Sequence, residues 1–284
     1  MRFGMNLLMW VDTLDDKALP LVDKIKEVGF DVIEMPVFDL DNMANYEKWG
    51  RRLSELGLSR TATAIRGPEE NPISADKTIR RRGVEANKKN LDCCAALGAE
   101  VMAGPFHSAL GVFSGKGPTE DEWKWGVESM REVAEHAEKV GVTLGIEYLN
   151  RFECYFLNTA AQGAKFCDAV DHPRCKMMYD TFHAHIEEKS IPEAIRALKG
   201  RLAHVHISEN DRSTPGQGNV RWDQNFDTLH EIGYDGTMVI EAFGLALEKI
   251  VPATKIWRRM YDDELKLAAD GLRFMKQEVA RRWK

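Results

Sequence analysis

The chain has 284 residues, with 39 basic and 45 acidic side chains and a formal net charge of −6. That length buries a large core without covalent staples, and an acidic balance argues against a nucleic-acid scaffold, whose surface would be basic. Its five cysteines are odd in number, Cys93 and Cys94 are adjacent and no CxxC occurs, so the pattern fits neither a disulfide framework nor a zinc ribbon.

The first ten residues, MRFGMNLLMW, carry one charge and run directly into Asp12, Asp15 and Asp16. A signal peptide needs a longer apolar stretch and a small-residue cleavage site, and no segment reaches the ~18 apolar residues of a membrane span. The expectation is a soluble, reduced, cytoplasmic protein with no membrane partner. Short apolar, β-branched runs then recur at 3–10, 31–37, 60–65, 100–106, 143–149, 176–182, 202–207 and 237–243. Segments of helical spacing alternate with them. Leu21, Ile25 and Val28 repeat at i, i+4 and i+7 before Gly29, and Trp49, Leu53 and Leu56 do the same before Gly57. Longer amphipathic stretches at 76–97 and 120–140 end at Gly98 and Gly141, where a left-handed C-cap is expected. A last charged amphipathic helix is expected over 255–284, with Trp257, Met260, Leu265, Leu272, Phe274 and Met275 on its apolar side.

Eight strand–helix alternations with long connections imply a parallel sheet, and eight is the closing number of the (β/α)₈ barrel. The predicted fold is a single α/β TIM-barrel domain over 1–284. An open doubly wound sheet competes, but no GxGxxG follows the first strand, and the Gly216/Gly218 pair after the seventh is not a phosphate fingerprint.

In such a barrel, chemistry sits at the C-terminal ends of the strands. The last four strands each end in a metal-ligating residue type: Glu147, Asp180, His206 and Glu241, separated by roughly one β/α unit of ~30 residues each. A carboxylate at the end of an apolar strand is costly unless its charge is compensated. Four such residues in phase point to one shared cation. Three carboxylates and one imidazole form a hard, oxygen-rich set suited to Mg²⁺ or Mn²⁺. His204 faces the same way as His206 but deeper, and is expected to support the site or the core rather than ligate. Asp31 and Glu34 flank the second strand and are expected to be structural.

The stretches EYLNRFE (147–153), DTFH (180–183), HVHISENDR (204–212) and YDGTMVIEAF (234–243) resemble the D-tagatose/D-allulose (psicose) 3-epimerase family, within the xylose-isomerase-like barrels. The resemblance covers nearly the whole chain. It implies a (β/α)₈ barrel acting on a free ketose, with a divalent metal, typically Mn²⁺, Mg²⁺ or Co²⁺. It assigns Glu147, Asp180, His206 and Glu241 as metal ligands, and Glu153, His183 and Arg212 as substrate contacts near the carbonyl end of the sugar. It also implies a homo-oligomer, a dimer or a tetramer. This chain departs from the family's better-known members at Asn6, Thr63, Ser108, Ala109 and Leu110, positions expected to line the far end of the sugar pocket.

Elementary chemistry agrees. A metal that polarises a ketone makes the neighbouring C–H acidic, and inverting that carbon needs acid/base groups on both faces. Glu147 and Glu241, on the fifth and eighth strands, are placed for those roles, with a cis-enediolate as intermediate. Three other readings use a similar shell. One is a hydroxypyruvate or aldose–ketose isomerase, another an inosose-dehydratase-type lyase, and the third a metal-dependent endonuclease. The last needs more histidines and a basic face.

Overall fold

The computed structural model describes residues 1–13 and 15–283. Eight parallel strands close into a barrel in chain order: β1 (Arg2–Asn6), β2 (Val32–Pro36), β3 (Ser59–Thr63), β4 (Val101–Gly104), β5 (Thr143–Glu147), β6 (Cys175–Asp180), β7 (Leu202–Ile207) and β8 (Thr237–Ile240), with β8 pairing back onto β1. Between them run α1 (Leu19–Val28), α2 (Met43–Glu55), α3 (Lys77–Leu97), α4 (Glu120–Val140), α5 (Ala160–Val170), α6 (Thr181–Glu187), α7 (Ile191–Ala197) and α8 (Trp222–Glu231). A short α9 (Val251–Thr254) and a long α10 (Glu264–Arg282) follow β8. The (β/α)₈ barrel expected from the alternation is the observed fold.

Local chemistry explains the boundaries. Asp76 caps α3 by accepting from the amides of Thr78 and Ile79, and reciprocal capping boxes, Thr119 with Glu122 and Thr159 with Gln162, open α4 and α5. Gly98 and Gly141 take the left-handed conformation that ends α3 and α4. Several strands are shorter than their apolar runs. Residues 7–9 leave β1 as a 3₁₀ turn, and Asp180 ends β6 by accepting from the Phe182 amide at 2.6 Å and starting α6.

The final helix departs from expectation. It begins at Glu264, capped by Asp263, whose carboxylate accepts from the Lys266 amide at 2.6 Å. Residues 255–263 are not helical, because Lys255 turns left-handed at the end of α9 and the Asp262–Asp263 pair favours a cap over a helix interior. Lys284 lies outside the described residues. Leu8, Phe243 and Ile256 form a small apolar cluster of their own, packed by Phe38, Leu247, Ile250 and Met260. It straps the segment after β8 across the C-terminal end of the barrel, apart from the main core. All five cysteines are buried thiols, and no described helix is long and apolar enough to cross a membrane.

Candidate active site

The barrel brings all four strand-end ligand candidates together. Glu147 closes β5, Asp180 closes β6, His206 is the penultimate residue of β7, and Glu241 directly follows β8. The β6–β7 register sets Asp180 beside His206. All four are buried. Asp180, His206 and Glu241 form one cluster of converging ligand atoms; Glu147, Asp180 and His183 form a second, sharing Asp180. His206 Nδ1 lies 3.3 Å from Glu241 and 3.8 Å from Asp180. His183 Nε2 lies 3.4 Å from Glu147 and 4.0 Å from Asp180. His183, expected as a substrate contact, therefore borders the carboxylate cluster itself.

Arg212 is drawn into the same group. Its Nη1 donates to Asp180 at 2.9 Å, to Glu241 at 2.5 Å and to the Ser208 hydroxyl at 3.0 Å, while Nη2 is 3.2 Å from His183 Nε2. Its guanidinium stacks 3.8 Å from the Phe182 ring centroid. The backbone of Arg212 is left-handed, with φ 61°. This conformation is held by the loop after β7, where the buried Glu209 carboxylate accepts from the amides of Asn210, Gly216 and Val220 and from the Trp222 indole. The glycine pair in that loop thus serves an internal carboxylate. Asn150 organises the other side: its amide N–H and side-chain NH₂ both reach His183 Nδ1, at 3.1 and 3.0 Å, and the side chain donates to Glu153 at 2.8 Å. Nδ1 thus accepts from Asn150, while Nε2 faces Arg212 Nη2 and the carboxylates.

The electrostatics follow from burial and crowding. Burial, with Glu241 and Asp180 nearby, raises the proton affinity of Glu147 well above the usual carboxylate range. Burial would also raise Asp180, but Arg212 and the neighbouring imidazoles hold it well below its ordinary value. Burial alone would discharge His206, yet Glu34, Glu241 and Asp180 push it well above an ordinary histidine. His183 is pushed down to about 4, chiefly by burial.

The residues fit a divalent cation. His206 Nδ1 is buried, has no hydrogen-bond partner, and points among carboxylates. Three carboxylates and an imidazole converge beside Arg212, and this donor set suits an oxygen-preferring metal.

Beneath this group lies a polar layer whose importance the sequence did not convey. Glu34, expected to be structural, is fully buried, 2.6 Å from His206 Nε2 and 2.7 Å from His204 Nε2. Burial would raise its pKa, but the two imidazoles hold it well below the carboxylate range. Asp31 does take a structural part, accepting from the Phe3 amide at 3.0 Å. A signal for Glu34 was present: it is a carboxylate inside the apolar run of β2, as the strand-end glutamates are in theirs.

Above the floor opens a cavity of about 290 Å³. Glu147, Glu241, Glu153, His183 and Arg212 border it at depth; Leu8, Phe38, Ile65, Leu110, Leu247 and Ile250 form its outer wall. Asp180 and His206 do not border it. Of the positions expected to line the pocket, only Leu110 does. Ser108 pairs with the Cys154 thiol at 3.4 Å, and the Ala109 amide donates to Asn71 at 3.1 Å, so that loop turns both away. The Thr63 hydroxyl is buried without a partner, and Asn6 lies below the floor, 3.0 Å from Glu34.

The chain matches the xylose isomerase-like TIM barrel family over residues 22–278. An L-ribulose 3-epimerase of Mesorhizobium japonicum is 33% identical to it, covering 99% of this chain and 96% of that protein. A D-psicose 3-epimerase of Ruminiclostridium cellulolyticum is 32% identical, covering 97% and 98%. The solved structure of an L-ribulose 3-epimerase superposes with a TM-score of 0.93 at 31% identity, over 99% of this chain and 95% of the other. That of D-psicose 3-epimerase with D-tagatose from Clostridium cellulolyticum gives 0.89 at 30% identity, over 98% and 99%.

Proposed function

This chain belongs to the D-tagatose/D-allulose 3-epimerase family of xylose isomerase-like barrels, and from that premise we propose that it epimerises a free ketose at C3, with Glu147 and Glu241 as the two acid/base groups. The observation that carries the reading is the division within the site. Of the four ligand candidates, only Glu147 and Glu241 border the cavity, and they come from β5 and β8. A group that handles a substrate proton must reach the substrate; a purely ligating group need not.

The proposed metal ligands are Glu147, Asp180, His206 and Glu241. When bound there, a divalent cation supplies Lewis-acid polarisation of the substrate carbonyl. Mn²⁺ is proposed ahead of Mg²⁺ or Co²⁺, since an imidazole among carboxylates suits it. Arg212 donates hydrogen bonds to the C1–C2 end, His183 contacts it through its imidazole edge, and Glu153 accepts from a hydroxyl there. One of Glu147 and Glu241 removes the C3 proton, leaving a cis-enediolate. The other returns a proton to the opposite face. The reaction is its own reverse in kind, so the two exchange roles with direction.

The substrate is proposed to be unphosphorylated. The amides of the loop after β7, where a barrel commonly cradles phosphate, are spent on Glu209, Asn210 and Thr214. We also propose a homo-oligomer, a dimer before a tetramer, supported by the exposure of Phe152 (74%) and Trp257 (67%). A monomeric mass by light scattering would remove that part of the reading.

The deciding experiment is turnover of ketohexoses and ketopentoses in D₂O by the Mn²⁺-loaded protein. NMR is expected to find deuterium at C3 of both epimers. Label confined to C1 or C2 would instead indicate an aldose–ketose isomerase.

A further inference from the structure

Resting on the metal centre proposed above, we propose that Glu34 is a positioning residue that fixes which nitrogen of His206 faces the metal. An ionised carboxylate only accepts hydrogen bonds, so each polar group turned toward it must present a hydrogen. Three do. Oε1 faces His206 Nε2 at 2.6 Å and the Asn6 NH₂ at 3.0 Å. Oε2 faces the Thr61 hydroxyl at 2.8 Å and lies 2.7 Å from His204 Nε2. With Nε2 held as the donor to Glu34, Nδ1 is the nitrogen that gives up its proton to a cation, and this is the buried, unpartnered nitrogen that points toward Asp180 and Glu241.

The same carboxylate orients a second part of the site. The Asn6 side chain is held from both ends, its oxygen accepting from the Leu8 amide at 2.8 Å and its NH₂ donating to Glu34. That NH₂ also reaches Glu241 Oε1 at 3.4 Å. Strand register makes the arrangement, because Asn6, Glu34 and Thr61 are paired across β1, β2 and β3. A carboxylate behind a metal-bound histidine raises its basicity and fixes its ring, and losing such a partner weakens metal binding by ~10–100-fold.

Glu34→Gln is the sharpest variant. It keeps the shape but removes the carboxylate charge behind Nε2, which lowers the basicity of Nδ1 toward a cation. Calorimetric titration with Co²⁺ is expected to show affinity reduced ~10–100-fold, while Thr61→Val, which leaves the His206 contact intact, stays within about threefold of the parent. Nitrogen-15 NMR of the Mg²⁺-loaded parent needs no variant, and is expected to show His206 protonated on Nε2 and not on Nδ1. A proton on Nδ1 there, parent-like Co²⁺ affinity in Glu34→Gln, or an equal loss in Thr61→Val would overturn the proposal. If the unaltered protein takes up neither Co²⁺ nor Mn²⁺, the metal centre itself fails, an outcome distinct from failure of Glu34 alone.

Discussion

The floor and the outer wall of the cavity are built on opposite principles. On the floor, directed polar contacts dominate: Glu34 accepts from His206, Asn6 and Thr61, Arg212 spans Asp180 and Glu241, and Asn150 holds both His183 and Glu153. The wall is mostly apolar, with Leu8, Phe38, Ile65, Leu110, Leu247 and Ile250, and its outer strap rests on a three-residue buried cluster and an Asp12–Lys249 ion pair at 3.1 Å at the cavity mouth. Directed contacts fix the geometry of reacting atoms; apolar contact is tolerant of shape. The contrast teaches that the floor is held by directed contacts and the wall by contacts tolerant of shape.

The floor offers the largest effect. Glu147→Gln and Glu241→Gln each remove a proposed proton carrier, a group that contributes ~10²–10⁴-fold, and also alter a metal ligand. Each variant is expected to lose at least that factor in kcat on a ketose. Near-full turnover by either one would refute the two-base mechanism while leaving the barrel untouched. The opposite expectation holds for Leu110→Ala on the wall: kcat within about threefold and the change confined to KM, as for loss of non-directional binding.

Metal removal tests the floor as a unit. A cation that binds only the folded state adds about 2.7 kcal/mol when present at ~100 times its Kd. Thermal unfolding after chelation is therefore expected several degrees below that of the Mn²⁺-loaded protein, with recovery on adding Mn²⁺. Equal melting temperatures with and without Mn²⁺ would mean that the carboxylates of the floor need no cation.

What the sequence made legible divides along the same line. The barrel was readable because its signals are local: apolar runs, capping residues at Thr119 and Thr159, glycines at 98 and 141. The strand-end residues were readable because their phase repeats with the β/α unit. The partnership of Glu34 with His206 was not, since it depends on barrel closure bringing together residues 172 positions apart. Asn150 was part of a recognised motif, but its hold on His183 appears only once the loop after β5 folds over α6. Ser108 and Ala109 were misplaced for a similar reason: the direction in which a loop turns is decided by partners such as Cys154 and Asn71. The start of the last helix was misjudged because apolar residues at 257 and 260 continue its spacing while the backbone there belongs to the strap.

Two kinds of buried histidine sharpen the contrast. His204 and His206 each lie within ion-pair distance of the Glu34 carboxylate, whereas His107 packs against Phe156 and Phe166 with no carboxylate beside it and no hydrogen-bond partner for either nitrogen. Burial pushes His107 down to about 3. Its folded value thus lies below the unfolded value of ~6.5, so in that window the unfolded chain binds the extra proton. Stability falls as pH drops from about 6.5 toward 3, by ~1.4 kcal/mol per pH unit from this residue. Replacing His107 with Leu is expected to flatten the decline between pH 6.5 and 5 by about 2 kcal/mol in denaturant melts. An unchanged slope would show that His107 has a proton partner in solution.

The smallest effect belongs to the strap. Lys249 is largely exposed, and an exposed ion pair contributes about 0–1 kcal/mol, so Asp12→Asn is expected to leave the melting temperature within about two degrees of the parent. Its reach into function is also limited, because Asp12 and Lys249 both border the cavity mouth and touch no group of the floor. If the pair acts as a latch on the strap, its loss frees the segment after β8 to open more often, and substrate leaves faster. The expected signature is a rise of KM of up to ~3-fold with kcat held, shrinking as salt is added to the parent, since screening weakens the same pair. A fall in kcat would place the strap in the chemical step and erase the separation between floor and wall.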